Sequence, residues 1–150
     1  MITADWHDRG GIVARGVLLD YRAYADAFGL EFNLFDNDQI TIEDLEKIAD
    51  YQGVEFKYGD VLLIRSGFTE ALDAMTGEEQ AEVLSSYRTC GVEGTEKAAK
   101  WIWNKHFSAV AGDMMGFEHS PSIINGKEGK GGADLGQSIP LQTIPNGLLS

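Results

Sequence analysis

Four consecutive apolar residues, Val61-Leu-Leu-Ile64, stand between a turn-forming Gly59-Asp60 and a polar Arg65-Ser66-Gly67. The run is too short for a helix and is bounded by turn residues on both sides, so it reads as a buried strand. A buried strand needs cover, and the sequence supplies helices before and after it. Thr41 is placed as an N-cap ahead of Glu43 and Asp44, which suit the positive end of a helix dipole. Ile42, Leu45, Ile48 and Ala49 then recur on one face, and Gly53 stops the helix.

The same alternation runs along the chain. Gly11 to Asp20 reads as a strand, clearest over Val17–Leu19, and Tyr21–Phe28 as a short helix ended by Gly29. Residues 31–38 read as a loop. A capped helix is expected from Thr76 to about Tyr87, and another from Thr95 towards His106 with Ala98, Ala99, Ile102 and Trp103 along it. Ser108–Gly112 reads as a last short strand ending at Asp113. Strand and helix in repeated succession define an α/β class.

Charge divides the chain. Of its 150 residues 24 are acidic and 12 basic, a net charge of −12. From His119 onward the two signs balance, Lys127 and Lys130 against Glu128 and Asp134, so the whole excess lies in residues 1–118. That stretch is expected to be the folded domain. Residues 119–150, rich in glycine and without sustained periodicity, are expected to be a loosely ordered tail. An acidic surface repels nucleic-acid phosphates and anionic membranes, and neither is expected as a partner. No apolar stretch is long enough to span a bilayer, the first residues have no signal-peptide pattern, and Cys90 stands alone. A cytoplasmic protein is the expectation.

Polar groups at the carboxyl ends of strands are the places to look for chemistry in an α/β sheet. They are Asp20, then Arg65-Ser66-Gly67, then Asp113 through Glu118. Two readings stand for Asp20, a helix cap or a site carboxylate. Arg65 is expected to pair with Asp20 or with Asp113. Ser66 lacks the glycine two residues earlier that a nucleophile elbow needs, since Ile64 is there. The run from Gly126 to Gly131 lacks the Lys-Ser/Thr pair of a phosphate loop. A catalytic zinc wants three protein ligands. His7, His106 and His119 share no short-spaced motif, and His106 reads as a charge complement at a helix end.

Arg9 through Tyr21, with its Arg15-Gly-Val-Leu-Leu-Asp20 strand, resembles a signature of the cyclase family that includes the bacterial kynurenine formamidases. Ile42-Glu-Asp-Leu45, Gly59 through Gly67, Gly94 through Trp101, Ala109 through Asp113 and Phe117-Glu118 continue the likeness in order, nearest to a fungal-type branch. The resemblance implies a swivelling β/β/α fold, of which this chain would carry part, and usually an oligomer. It also implies hydrolysis of a small-molecule amide or ester, such as the formyl amide met in tryptophan catabolism. In the complete family domain a zinc or manganese ion activates water.

The family's ligands come chiefly from a His-x-Gly-Thr-His-x-Asp-x-x-x-His stretch ahead of the Arg15–Asp20 strand, which this chain does not contain, and from a His and a Glu further downstream. After Glu118 the expected Trp-Pro, Leu-His and Gly-Glu patterns are replaced by His119-Ser-Pro121, and Ala14 stands where the family more often has Gly. The chain is therefore expected to be a truncated member that holds no metal stably and is weak or inactive alone. Asp20, Arg65, Asp113 and Glu118 are expected to support a pocket. The rival expectation is a non-catalytic remnant that associates with a full-length relative or another partner.

Overall fold

A computed structural model describes residues 7–121, together with the backbone at 123–124 and 127–128. Three parallel strands form its centre: β1 (Gly16–Asp20), β3 (Val61–Arg65) and β5 (Ala109–Gly112), in the order β1-β3-β5. Between them run β2 (Gln39–Ile40) and β4 (Gly91–Val92), which pair with each other in a separate two-stranded parallel sheet. The helices are α1 (Tyr21–Phe28), α2 (Ile42–Gln52), α3 (Phe68–Asp73), α4 (Gly77–Ser85) and α5 (Glu96–Asn104). The last described backbone is a short antiparallel pair, β6 (Ile123–Ile124) with β7 (Lys127–Glu128). The α/β class expected from the sequence is what the chain adopts.

Local chemistry accounts for the helix ends. Thr41 and Asp44 form a capping box at the start of α2, as Thr76 and Glu79 do for α4, each pair satisfying two otherwise orphaned N–H groups. Thr95 caps α5 through Ala98 N–H. Gly29 and Gly53 close α1 and α2 in the left-handed conformation, at φ 63° and 65°, where a side chain would be strained.

The main core lies on one face of the large sheet. Val17 and Leu19 of β1 and Leu62 and Ile64 of β3 are buried against Tyr21 and Ala25 of α1 and Ile42, Leu45, Ile48 and Ala49 of α2. Tyr21 is held so dry that its hydroxyl pKa is pushed up to about 12. Helix α5 is fastened over α2 by Lys97–Glu43 and by Trp101 Nε1–H donating to Glu46 at 2.5 Å. At the amino end of the sheet Arg15 grips buried Asp60 with two hydrogen bonds of 2.8 and 2.6 Å and holds its carboxyl below the usual range. A smaller core gathers Leu34, Phe68 and Cys90 beyond the sheet's carboxyl end.

One expectation is met on one side only. Val61–Ile64 reads as a buried strand, yet Leu63 is 37% exposed and its register partner Leu18 is 49% exposed. The sheet is covered by helices on one face, and the opposite face is open among the described residues.

The sequence boundary after Glu118 also looks different in three dimensions. His119 N–H donates to Val92, and Ser120 exchanges two backbone hydrogen bonds with Thr89 at 2.9 and 3.0 Å. These residues, assigned to the tail from composition, lie against β4. Beyond Pro121 the expectation of a loose tail falls outside the described residues, apart from the backbone of β6 and β7.

Candidate active site

Parallel strands deliver three polar groups to one end of the sheet. Asp20 ends β1 and is in register with Arg65 at the end of β3, while Asp113 follows β5. The Arg65 guanidinium donates through Nη1 to both oxygens of Asp20, at 2.9 and 3.0 Å, and through Nη2 to Glu70 of α3 at 2.5 Å. Asp20 also accepts from Ala23 N–H at 2.9 Å, so it caps α1 and pairs with Arg65 at once. The cap reading of Asp20 and the expected pairing of Arg65 with Asp20 are thus both met by one carboxylate. The pair is half-exposed rather than buried, and the guanidinium is kept charged by its two carboxylates.

Asp113 does something else. Its Oδ1 accepts from Ser66 N–H at 2.7 Å and from Ser66 Oγ–H at 2.8 Å, and its Oδ2 accepts from Gly67 N–H at 2.8 Å. Gly67 has φ 89°, and a Cβ there would sit 3.2 Å from the Arg22 side chain. The carboxylate therefore fastens the sharp turn that leads from β3 into α3. Ser66 is fully buried and bonded to Asp113, which leaves it no path to act on a substrate. Cys90 lies beside it, its thiol pushed up to about 11 by burial, so it is a packing group rather than a nucleophile.

Arg65, Thr69, Glu70, Asp73 and Asp113 line an open depression of about 610 Å³ whose floor is Leu63, Ile64, Ala111 and Gly112. Glu118, expected at the same place, is set against β4, with its backbone bridged to Val92 and its carboxylate beside Gly94. Its position follows from Gly91. A Cβ at Gly91 would fall 2.4 Å from His119 N, so only glycine lets the 117–120 segment cross so close.

The three histidines stay apart. His7 is exposed, and His106 stacks on Tyr58 with ring centroids 4.4 Å apart, just beyond α5. His119 is buried, its Nδ1 3.3 Å from Val92 O and its Nε2 3.2 Å from Gln39 Nε2. That pattern requires the proton on Nδ1, with the Gln39 amide donating to Nε2. The metal implied by the family resemblance can be tested on this donor set. Among the described residues no three His, Cys, Asp or Glu side chains converge to hold an ion, and the carboxylates of Asp20 and Asp113 are spent on a guanidinium and on backbone N–H groups. The described residues do not fit the metal.

Sequence reasoning missed Glu70, Thr69 and the Ser66–Asp113 bonds. The proximity of polar residues to two adjacent strand ends was the available signal for the last.

Residues 3–119 match the profile of the family described as "Putative cyclase". A crystal structure of a novel cyclase superimposes with a TM-score of 0.60 and 24% identity, covering 73% of this chain and 34% of that one. The chain thus spans about a third of the length of that protein. No curated protein matches it. Among the described residues no helix is long and apolar enough to cross a membrane.

Proposed function

Because the chain belongs to the cyclase family, we propose that it forms one wall of a hydrolase-type pocket and is not by itself a complete reaction centre. The observation that carries this reading is the commitment of the polar groups at the sheet end. Asp113 accepts three hydrogen bonds from the Ser66–Gly67 turn, and Asp20 is divided between Arg65 and the start of α1. Each carboxylate is thereby held by structural partners, which makes it a weaker cation ligand than a free one. In the complete family domain, by resemblance, a zinc or manganese ion supplies the activated water for amide or ester hydrolysis. Here the residues at the depression do what a wall does. Leu63 and Ala111 give an apolar floor, and Arg65, with Glu70, sets a fixed charge at one edge.

The test is direct. The purified chain, supplied with zinc or manganese and then desalted, should hold much less than one equivalent by elemental analysis. It should not hydrolyse a formyl anilide above the rate of buffer. Stoichiometric metal together with turnover would overturn the proposal.

A second reading, association without catalysis, is favoured by the open face of the large sheet. Leu18 and Leu63 lie side by side there with no cover among the described residues.

A further inference from the structure

Residues 68–87 leave the domain and return to it through two bent joints. Gly67, between β3 and α3, has φ 89°, and Tyr87 ends the excursion with φ 54°. An L side chain in that region is strained, and Tyr87 is 62% exposed, so packing of its ring does not hold it there. Between the joints α3 and α4 bond to each other, Gln80 Nε2–H donating to Leu72 O at 3.0 Å. The Thr76–Glu79 box and the Ser85 and Ser86 hydroxyls also find partners nearby. Among the described residues, the hydrogen bonds of 71–87 all run within the stretch 67–88.

What holds this excursion to the body is narrow. Phe68 is buried in the small core, and Ala71, Leu72 and Leu84 rest on the same cluster beside Cys90. None of the residues from 68 to 87 belongs to the main core. Two polar side chains tie the stretch down, both in the first turn of α3. Thr69 Oγ–H donates to Asp113 O at 3.1 Å, and Glu70 accepts from Arg65. The stretch carries five acids and no base, and the rest of the chain is negative as well, so charge pushes the two apart. A unit with its own bonds and few apolar contacts is the kind that opens without global unfolding.

We propose that residues 68–87 form a flap that opens as one piece about Gly67 and Tyr87, with the Arg65–Glu70 pair as its latch. Thr69, Glu70 and Asp73 are one side of the depression whose floor includes Leu63 and Ala111. Opening therefore widens the depression and releases one arm of the Arg65 guanidinium. The inference rests on the reading of that depression as a pocket wall, and it gives the wall a moving side.

Cys90 reports the motion. It is the chain's one thiol, it is fully buried, and side chains of the flap pack over it. A neutral reagent, dithiodipyridine, is added to the native chain across a urea series, and the reaction is followed by absorbance. At low urea the rate should depend on urea far less steeply than the unfolding equilibrium does, because the flap exposes little surface. Leu84→Ala should raise the rate about tenfold, since a half-buried anchor is lost. Glu70→Lys should raise it about threefold, the measure of a surface ion pair. Ile48→Val trims the main core, so it should lower the urea midpoint and leave the rate unchanged, because open and closed forms keep that core alike.

A rate that rises in Ile48→Val in step with the lost stability means that Cys90 is reached only by complete unfolding, and the flap is then overturned. An unchanged rate in Leu84→Ala overturns it too, and an unchanged rate in Glu70→Lys overturns the latch. Hydrogen exchange of the unsubstituted chain serves if Leu84→Ala fails to keep its far-UV circular dichroism. Residues 68–87 should exchange as one unit ahead of 42–52 and 61–65, and simultaneous exchange of all three would sink the idea. No metal or substrate enters these readouts, so a failure of the pocket reading shows itself separately.

Discussion

Three hydrogen bonds converge on the Asp113 carboxylate, and they tie the end of β5 to the turn that follows β3. Removing an acceptor of this kind leaves donors unsatisfied, a loss of about 1–3 kcal/mol for each buried group stranded. Ser66 is fully buried, so its N–H has no water to turn to. Asp113→Ala should therefore lower unfolding stability by about 2–3 kcal/mol, read from the midpoint of a urea melt. Asp113→Asn keeps a carbonyl oxygen for two of the bonds and should lose less. A residue that merely lined the pocket would leave the melt where it was in both variants.

At the scale of elements, two helices share the same cap and differ in what the cap holds. α2 buries Ile42, Leu45, Ile48 and Ala49, whereas α4 has no buried residue. Thr41→Ala should reduce global stability by about 1 kcal/mol, the usual worth of an N-cap. Thr76→Ala should leave the melt unchanged and instead speed amide hydrogen exchange within residues 77–85, because α4 opens locally without disturbing the core.

The same contrast explains what was legible beforehand. Caps, glycine stops and the strands β1, β3 and β5 are specified by neighbours in sequence, and they lie close to where the residues place them. β2 and β4 are two residues each and exist because Cys90 N–H reaches Leu34 O and Val92 meets Phe117, contacts far apart along the chain. α3 follows Gly67, which has no side chain to cap it, and the one local bond at its start, Phe68 N–H to Ser66 Oγ, comes from a serine outside the N-cap position. At the site, Asp20, Arg65 and Asp113 were legible because strands end there. Glu118 lies apart from these three, where the chain crosses Gly91, a position no periodicity records.

For the whole molecule, the excess of negative charge matters most. The chain carries −12, so even with every basic residue paired the whole excess of negative charge remains. Self-repulsion of this kind destabilises the compact state and is screened by salt, with a Debye length of about 10 Å at 0.1 M. The thermal midpoint should rise as sodium chloride is raised from about 0.02 to 0.3 M, a range over which that screening length shortens. A midpoint that fell would mean that attractive pairs outweigh the net charge.

The sheet order β1-β3-β5 leaves β1 and β5 with an outer side unpaired among the described residues, and all three strands point the same way. The two free sides are therefore unlike each other, one the complement of the other. A molecule set beside its neighbour by simple translation would continue the sheet in the same direction and present the same two sides again. Pairing of that kind has no closing number. A rotation symmetry ends at a fixed count of subunits, while a translation ends only when material runs out. Repulsion between copies that each bear −12 opposes such growth at low salt. The salt that steadies a single fold thus also lowers the barrier between one copy and the next.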